Sequence, residues 1–561
     1  MMKFIICLFV LLIQSVTASP MYSRYSPMHS NTQIDETEFD FCEANSDGIM
    51  LYYHYIEDVF CELVAGPEKY SGVINIPEYV TENQIPVIGV GAGAFYYCDD
   101  LIEVHVPNTA LYLESISFYG NSHLTKVTLS ENLLAIGELA FEYCWELSSI
   151  NIPQSLEYVG YFAFSHCTKT GPLYNDKYFF YYPMLNYDDY GQSYSIPEGI
   201  EVISTSAFSF ANLDEVIIPN TVHTIMENAF DGSEITHITI PSSVKTIMRK
   251  AFGQTRLSEV IVPTTVQEMD TEVFDSCLSL KKATLLNPLE EIPYGTFHTC
   301  TELEEVSFPN TVHKIGAHAF SNNMKLLSFD FSNIDTIEEG AFYRCESLTE
   351  VNLSGSITNI PKNAFNLCER IEKISLPKTL KQIGELAFYQ NTSLTSLDIP
   401  DSVTRVSSNA FWNCKNLREI RLGKNLRFIG FGAFSQLEHI KAIDIPQSVQ
   451  TIENMAFAYS WELKDVTVHW ETPLPIQFDI FDNEQYSREM TLHVPAGTKD
   501  SYASANGWGK FSAIVEDASS LSISATKSDN KPKVTKKLLG GKFIIENGKL
   551  NHNLQGQIIV R

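Results

Sequence analysis

The chain has 561 residues, of which 44% are hydrophobic, and a formal net charge of −29. This apolar content is that of a folded protein and not of a disordered chain. The strong acidity disfavours nucleic acid and anionic lipid as partners, because both present negative charge to whatever binds them.

The N-terminus has the pattern of a secretory signal peptide. Lys3 precedes an apolar run over residues 4–13, and small residues follow up to Ser19. The run is too short to span a bilayer, and the alternative is a buried N-terminal segment. We predict a signal peptide over residues 1–19 and a mature chain that is secreted or cell-surface (outer-membrane exposed), without membrane insertion. Residues 20–35 are predicted to be a linker, and the strand-like segments within residues 36–85 predict an N-terminal cap.

The main part of the chain is an internal repeat marked by phenylalanine. The steps between these residues are 22 or 23 positions, with one step of 44. The repeated residues are Phe95, Phe118, Phe141, Phe164, Phe208, Phe230, Phe252, Phe274, Phe297, Phe320, Phe342, Phe365, Phe388, Phe411, Phe434 and Phe457. We expect them to form one continuous buried stack, since a single coil cannot bury its own apolar residues.

Other positions keep the same register and complete the unit L-x-x-V-x-I-P-x-S/T-V-x-x-I-x-x-x-A-F-x-x-C. Its alternating aliphatic pair predicts a strand with one buried face, and the proline marks the end of that strand. A period of this length with L-x-x-L-x-L spacing is the leucine-rich-repeat signature. The sequence therefore predicts an α/β-type repeat solenoid. It is a right-handed leucine-rich-repeat solenoid with a parallel β-sheet of short strands, about 17 coils of 22–23 residues, capped at both ends.

A hydroxyl residue lies two positions after the proline in most repeats. We predict that these side chains satisfy backbone groups of the turn. They are Thr109, Ser155, Thr221, Ser243, Thr265, Thr311, Thr379, Ser402 and Ser448.

The solenoid is predicted over residues 86–470, with an irregular coil at 169–192 that accounts for the step of 44. This coil is rich in aromatic residues between Tyr174 and Tyr190. If these aromatic side chains are exposed, they could bind a sugar or a partner chain. The alternative is that they pack against neighbouring coils. Residues 471–517 are predicted to form a C-terminal cap with a short helix from Thr498 to Gly507. Residues 518–540 have the composition of a flexible linker, and residues 541–561 form a tail that is a candidate sorting segment.

The repeated unit resembles the BspA-like leucine-rich repeats, over roughly residues 70–470. Such repeats occur in surface proteins of oral and gut Bacteroidetes, spirochaetes and some mucosal protozoan parasites. The segment from Val494 to Lys499, with Gly507-Trp508, is similar to an end-cap of Bacteroidetes members, and the tail is similar to C-terminal segments of exported Bacteroidales proteins. The resemblance implies surface adhesion to host matrix proteins or to other microbes, and it carries over no particular binding residue.

Eight of the eleven cysteines lie three positions after a repeat phenylalanine. These cysteines therefore belong to the repeat template and do not indicate a metal site. They are predicted to be either buried thiols or oxidised pairs in adjacent coils. Cys42 and Cys61 lie outside the array and are candidates for a disulfide. No motif predicts a metal, a cofactor or catalysis, and a regular array offers no place where distinct catalytic groups converge. We therefore predict that the protein is not an enzyme.

The remaining candidate surface is the outward side of the predicted strands, which solenoids commonly use for ligands. The alternative is an ordinary solvated face. The candidate ligand-binding residues are Glu103, His105, Lys126, Asn151, Lys281, Lys282, Glu304, Glu305, Asn352, Lys373, Asp398, Arg418, Arg421, Asp444 and Lys464.

The predicted function is that of an adhesin-like surface protein whose partners are extracellular proteins or glycans, among them host matrix glycoproteins. The alternative is a structural coat protein of the cell envelope without a specific ligand.

Overall fold

The computed structural model describes residues 39–57, 59–80, 84–184, 191–476, 480–482 and 489–517, and four short strands near the C-terminus. The predicted signal peptide (1–19), the linker (20–35) and residues 518–535 lie outside the described residues. The described chain is a parallel β-solenoid of about 19 turns. The predicted repeat solenoid is therefore confirmed, with about two more turns than the sequence estimate of 17.

Each regular coil contributes two short strands and not the single strand that the sequence predicts. The first is the predicted strand, and its parallel neighbours form what we call face 1. Its strands are β4 (Gly72–Asn75), β7 (Leu101–His105), β9 (Lys126–Thr128), β11 (Ser149–Ile150), β15 (Ser193–Ser195), β17 (Glu215–Ile217), β19 (His237–Ile238), β21 (Glu259–Val262), β23 (Lys282–Leu285), β25 (Glu305–Ser307), β28 (Glu350–Asn352), β30 (Lys373–Ser375), β32 (Ser396–Asp398), β34 (Glu419–Arg421), β36 (Ala442–Ile445) and β38 (Asp465–Val468).

The second strand of each coil covers the V-x-x-I segment, and these strands form face 2. They are β6 (Ile85–Val90), β8 (Tyr112–Leu113), β10 (Ala135–Ile136), β12 (Tyr158–Val159), β14 (Tyr178–Tyr181), β16 (Val202–Ile203), β18 (Thr224–Ile225), β20 (Thr246–Ile247), β22 (Glu268–Met269), β24 (Glu291–Ile292), β26 (Lys314–Ile315), β27 (Thr336–Ile337), β29 (Asn359–Ile360), β31 (Gln382–Ile383), β33 (Arg405–Val406), β35 (Phe428–Ile429) and β37 (Thr451–Ile452). Most of them are only two residues long, too short for a period-2 pattern to stand out in the sequence.

Antiparallel strands precede the first coil. They are β1 (Phe41–Ala44), β2 (Met50–Ile56) and β3 (Phe60–Val64), and β5 (Tyr79–Val80) pairs with β6. Strand β3 then pairs in parallel with β6, which starts face 2. Cys42 and Cys61 are free thiols on β1 and β3. The candidate disulfide is not formed, because β2 lies between these two strands, beyond the reach of a disulfide.

The C-terminal end of face 1 continues through β39 (Thr491–Pro495) and β40 (Ala513–Asp517). Between them lies the one α-helix of the described residues, α1 (Lys499–Ser504). Thr498 precedes it as predicted, but its hydroxyl donates to the carbonyl of Pro495 at 2.7 Å and does not cap the helix. Strands β41 (Lys536–Leu539), β42 (Lys542–Glu546), β43 (Asn551–His552) and β44 (Ile558–Ile559) form a small antiparallel sheet.

The phenylalanine residues form the predicted stack inside the solenoid. Successive rings are 4.8 to 5.7 Å apart and tilted by 4° to 22°, and all are buried. The irregular coil continues the stack with other rings, since Tyr181 contacts Phe164 and Phe179 contacts Phe208. This coil also contains β13 (Leu173–Tyr174), antiparallel to β14. Its buried rings confirm packing over residues 179–182, whereas Tyr187 and Tyr190 lie outside the described residues.

The cysteine positions beside this stack are buried free thiols, as the first of the two alternatives predicted. Seven of these eight thiols, all except that of Cys98, donate to the carbonyl of the phenylalanine in the preceding coil, at 3.1 to 3.3 Å. Where asparagine takes the position, as at Asn121, its amide bonds the carbonyls of Phe95 and Phe118. The position therefore serves to satisfy backbone groups between coils.

Candidate functional site

Face 1 carries the candidate ligand-binding residues. Most candidates lie on its strands or one position before them, and most side chains are exposed because burial alternates along each strand, as in the exposed–buried–exposed pattern of β30. Lys281, Glu304, Arg418 and Lys464 lie one residue before their strands. Asn151 follows β11 directly, and its amide both donates to and accepts from the backbone of Leu129, which makes it a turn-stabilising residue.

Ion pairs between neighbouring coils neutralise much of face 1. Lys126 Nζ lies 2.6 Å from Glu103, which also contacts His105 at 3.0 Å. Lys282 pairs with Glu305 at 3.2 Å. Glu103 and Lys126, like Lys282 and Glu305, lie directly opposite each other on adjacent strands, where opposite charges attract.

The same pattern continues toward the C-terminus. Lys373 pairs with Glu350 at 3.3 Å, and the Arg421 guanidinium pairs with Asp398 and, at 2.8 Å, with Asp401. Asp444 pairs with His469 at 2.5 Å. Only one member of several of these pairs was predicted from the sequence. Residues 23 positions apart can be recognised as neighbours only when the exact coil length is known.

The pattern of pairing is interrupted in the middle of face 1. Glu215 on β17 and Glu259 on β21 occupy equivalent register positions on either side of His237, and within the described residues neither carboxylate makes an ion pair. The next cation along the face, Lys282, is engaged by Glu305. Sequence reasoning missed both carboxylates, since nothing local distinguishes them from paired ones.

A shallow depression of about 320 Å³ lies at this interruption. It is lined by Asp214, Glu215, His237, Ile238, Thr239 and Glu259. Ile217 on β17 and Ile261 on β21 lie one strand to either side of Thr239. Their side chains are 48% and 58% exposed. The arrangement combines unpaired negative charge with exposed apolar surface, a combination that fits a basic and partly apolar protein segment.

The described residues show no arrangement of three His, Cys, Asp or Glu side chains suited to a metal ion. A second cavity, beside Phe164, Tyr181 and Met184 in the irregular coil, is about 10 Å³ and too small for a ligand. No described helix is long and apolar enough to cross a bilayer.

Comparison with known proteins gives the family context. A model of the BspA type leucine rich repeat region matches residues 74–174, 177–301, 270–392 and 358–488. A solved leucine-rich repeat protein from Bacteroides ovatus is 23% identical, covering 71% of this chain and 94% of its own, with a TM-score of 0.38. A leucine rich cell surface protein from Faecalibacterium prausnitzii is 20% identical, covering 86% and 96%, with a TM-score of 0.28. No match was found among curated proteins. Solenoids of this kind typically serve as binding scaffolds without catalysis.

Proposed function

The chain belongs to the BspA-type leucine-rich repeat family, and from that premise we propose that it is a secreted or cell-surface, adhesin-like protein without enzymatic activity. It binds host matrix proteins or other cells through face 1. In this proposal residues 1–19 direct export, and residues 36–85 and 471–517 cap the ends of the solenoid, whose outer coils would otherwise expose apolar surface.

The observation that carries the proposal is the interruption at β17, β19 and β21. Over much of face 1 the chain neutralises its own charges, as in the pairs Glu103–Lys126, Lys282–Glu305 and Asp398–Arg421, so a partner would have to break ion pairs to bind there. At Glu215 and Glu259 the carboxylates have no such pair, and Ile217 and Ile261 add exposed apolar area. Interfaces gain affinity from apolar contact and specificity from complementary charge.

Fibrinogen and fibronectin are the partners to test, immobilised and titrated with the purified chain. The Glu215→Lys, Glu259→Lys variant should lose a saturable signal that the wild type shows. The matched control is Glu304→Lys, Glu419→Lys, which reverses two exposed carboxylates on the same face away from the depression. Equal binding by all three proteins would refute the role of the depression, and a signal lost only in the control would move the site along face 1.

The alternative of a passive coat draws support from the same ion pairs. Charges that are paired between neighbouring coils, such as Glu350 with Lys373 and Asp398 with Arg421, are not available to a ligand. Absence of binding to both matrix proteins and to intact cells would favour this alternative.

A further inference from the structure

A second surface differs from face 1 in chemistry and position. Six rings from the first four coils form a continuous cluster, which we call the aromatic strip. It consists of Tyr96, Tyr97, Tyr119, Tyr143, Trp145 and His166.

The strip occupies the turn that follows each repeat phenylalanine. Its rings contact one another from coil to coil, with centroids 5.4 Å apart for Tyr96 and Tyr119 and 5.5 Å apart for Tyr119 and Tyr143. Tyr97 and Trp145 are 46% and 42% exposed. The corresponding positions of several middle coils hold small or polar residues, such as Asp231-Gly232, Gly253-Gln254 and Ser321-Asn322. The repeat template therefore does not require the rings.

The backbone conformation at these positions is a feature of the repeat, shared with residues such as Arg344 and Leu367 in later coils. Tyr97, Tyr143 and His166 have φ values of 49°, 63° and 65°, in the left-handed region that bulky side chains avoid. Glycine takes the same position in the next coil at Gly120. A Cβ there would lie 2.6 Å from the Tyr97 ring, so this glycine makes room for the ring to lie over the neighbouring coil.

Polar groups accompany the rings but carry little free charge. The Glu142 side chain is only 14% exposed, and burial raises the pKa of its carboxyl to about 7. Burial also lowers the pKa of His166, 3.8 Å away, which favours its neutral form. Glu146 is paired with Lys169. The surface thus offers ring faces together with hydroxyl, imidazole and carboxyl groups that exchange hydrogen bonds.

These features favour a neutral ligand with many hydroxyl groups. Aromatic faces also bind cations, but the carboxylates beside Tyr143 and Trp145, those of Glu142 and Glu146, are shielded or paired, and Lys69 of the chain already lies 6.0 Å from the Tyr96 centroid. Nucleic-acid bases stack on such rings as well, yet the charge of −29 opposes a phosphate backbone. We propose that the aromatic strip binds a neutral glycan chain, with successive sugar rings stacked on Tyr97 and Trp145.

The test is the migration of the full chain in native gels that contain hydroxyethyl cellulose, xylan, galactomannan or desialylated mucin. At least one polymer should retard the wild type. Loss of two stacking rings in Tyr97→Ala, Trp145→Ala should weaken binding about tenfold or more, by analogy with bases stacked on aromatic side chains. The matched control is Tyr459→Ala, Trp461→Ala, which removes a tyrosine and a tryptophan at the same repeat positions from the last regular coil, where the preceding coil holds Ser435 and Gln436 instead of rings.

A second measurement does not depend on truncated rings. Binding of the retarding polymer should change the tryptophan fluorescence of the wild type, and this change should disappear in Trp145→Phe while retardation is largely kept. The proposal is overturned if no polymer retards the chain, if both double variants behave alike, or if an oligolysine peptide binds the strip and the polymers do not. These outcomes are independent of matrix-protein binding by face 1.

Discussion

The hydroxyl of Thr311 donates a hydrogen bond of 2.6 Å to the carbonyl of Leu289, which lies 22 positions earlier in the preceding coil. Five further hydroxyls at the equivalent position make the same bond at 2.6 to 2.8 Å. The prediction that these side chains satisfy turn backbone groups is confirmed for these six. The other three hydroxyls, those of Ser243, Thr265 and Ser402, are buried and without a hydrogen-bond partner.

This difference predicts opposite outcomes for the same substitution. Thr311→Val should lower the free energy of unfolding by about 1–2 kcal/mol, because it leaves a carbonyl without its donor. Thr265→Val should be neutral or slightly stabilising, because it removes a hydroxyl that has no partner. Urea denaturation followed by circular dichroism compares the two, and equal losses would show that the bond at Thr311 contributes nothing of its own.

The phenylalanine stack predicts a steep cost for truncation. Phe342→Ala should lower the free energy of unfolding by about 3–5 kcal/mol, since the ring is buried against Phe320 and Phe365. Phe431→Ala is the control, because that ring is 37% exposed and lies outside the stack. Denaturant midpoints measure both, and a cost at Phe342 no larger than that at Phe431 would contradict the account of the core.

The thiols should differ sharply in reactivity. Burial raises the pKa of Cys368 and Cys414 to about 12, whereas Cys42 is exposed. Of the ten cysteines that the structure describes, only Cys42 should react quickly with Ellman's reagent at pH 8 in the native protein, and Cys42→Ser should abolish this rapid phase. All ten should react after unfolding without reductant. Two missing thiols would instead reveal a disulfide.

The carboxyl of Glu62 predicts a pH dependence of stability. Burial raises the pKa of Glu62 from 4.5 to about 7, and the Tyr112 hydroxyl donates to it at 2.8 Å. Its contribution to folding is fully present below pH 4.5 and is lost as the pH rises to about 7, because the folded state then has to release a proton that it holds more tightly than the unfolded state does. Glu62→Gln should therefore be more stable than wild type at pH 8, by about 2 kcal/mol, and equal to it near pH 4.

Glu103→Gln is the control of opposite sign. Lys126 lowers the pKa of Glu103, so the wild-type carboxylate stabilises the fold above pH 4.5 and loses that contribution as the pH falls. Thermal melting from pH 4 to pH 8 follows both variants. If the stability of both variants relative to wild type changed in the same direction with pH, the environments assigned to Glu62 and Glu103 would be contradicted.

The sequence was sufficient for the repeat, the buried stack and the assignment of the cysteines to the repeat template, because each follows from a residue type recurring at a fixed spacing. It was not sufficient for the second strand of each coil, which is too short to show alternation. It also missed the left-handed residues on either side of each phenylalanine, such as Leu139 and Tyr143 around Phe141. Glycine or asparagine would have signalled this conformation, but many different residue types occupy these positions.

The candidate site was predictable only in outline. The outward positions of the predicted strands do carry the charged side chains of face 1. Which charges are paired depends on coil lengths of 22 or 23 residues, which place Lys126 beside Glu103 and Arg421 beside Asp398. The unpaired stretch at Glu215 and Glu259, and the contact of the aromatic rings across four coils, appear only when the coils are stacked.

Carboxyl labelling with carbodiimide and glycine ethyl ester can show whether a partner covers Glu215 and Glu259. The chain is labelled both free and bound to immobilised fibrinogen or fibronectin. The modified residues are then read by mass spectrometry. The account predicts that Glu215 and Glu259 are labelled in the free chain and protected in the complex, while Glu268 and Glu438, which lie on face 2 and in a turn, are labelled equally in both states. Unchanged labelling of Glu215 and Glu259 in a saturated complex would contradict the claim that face 1 binds the partner at this place.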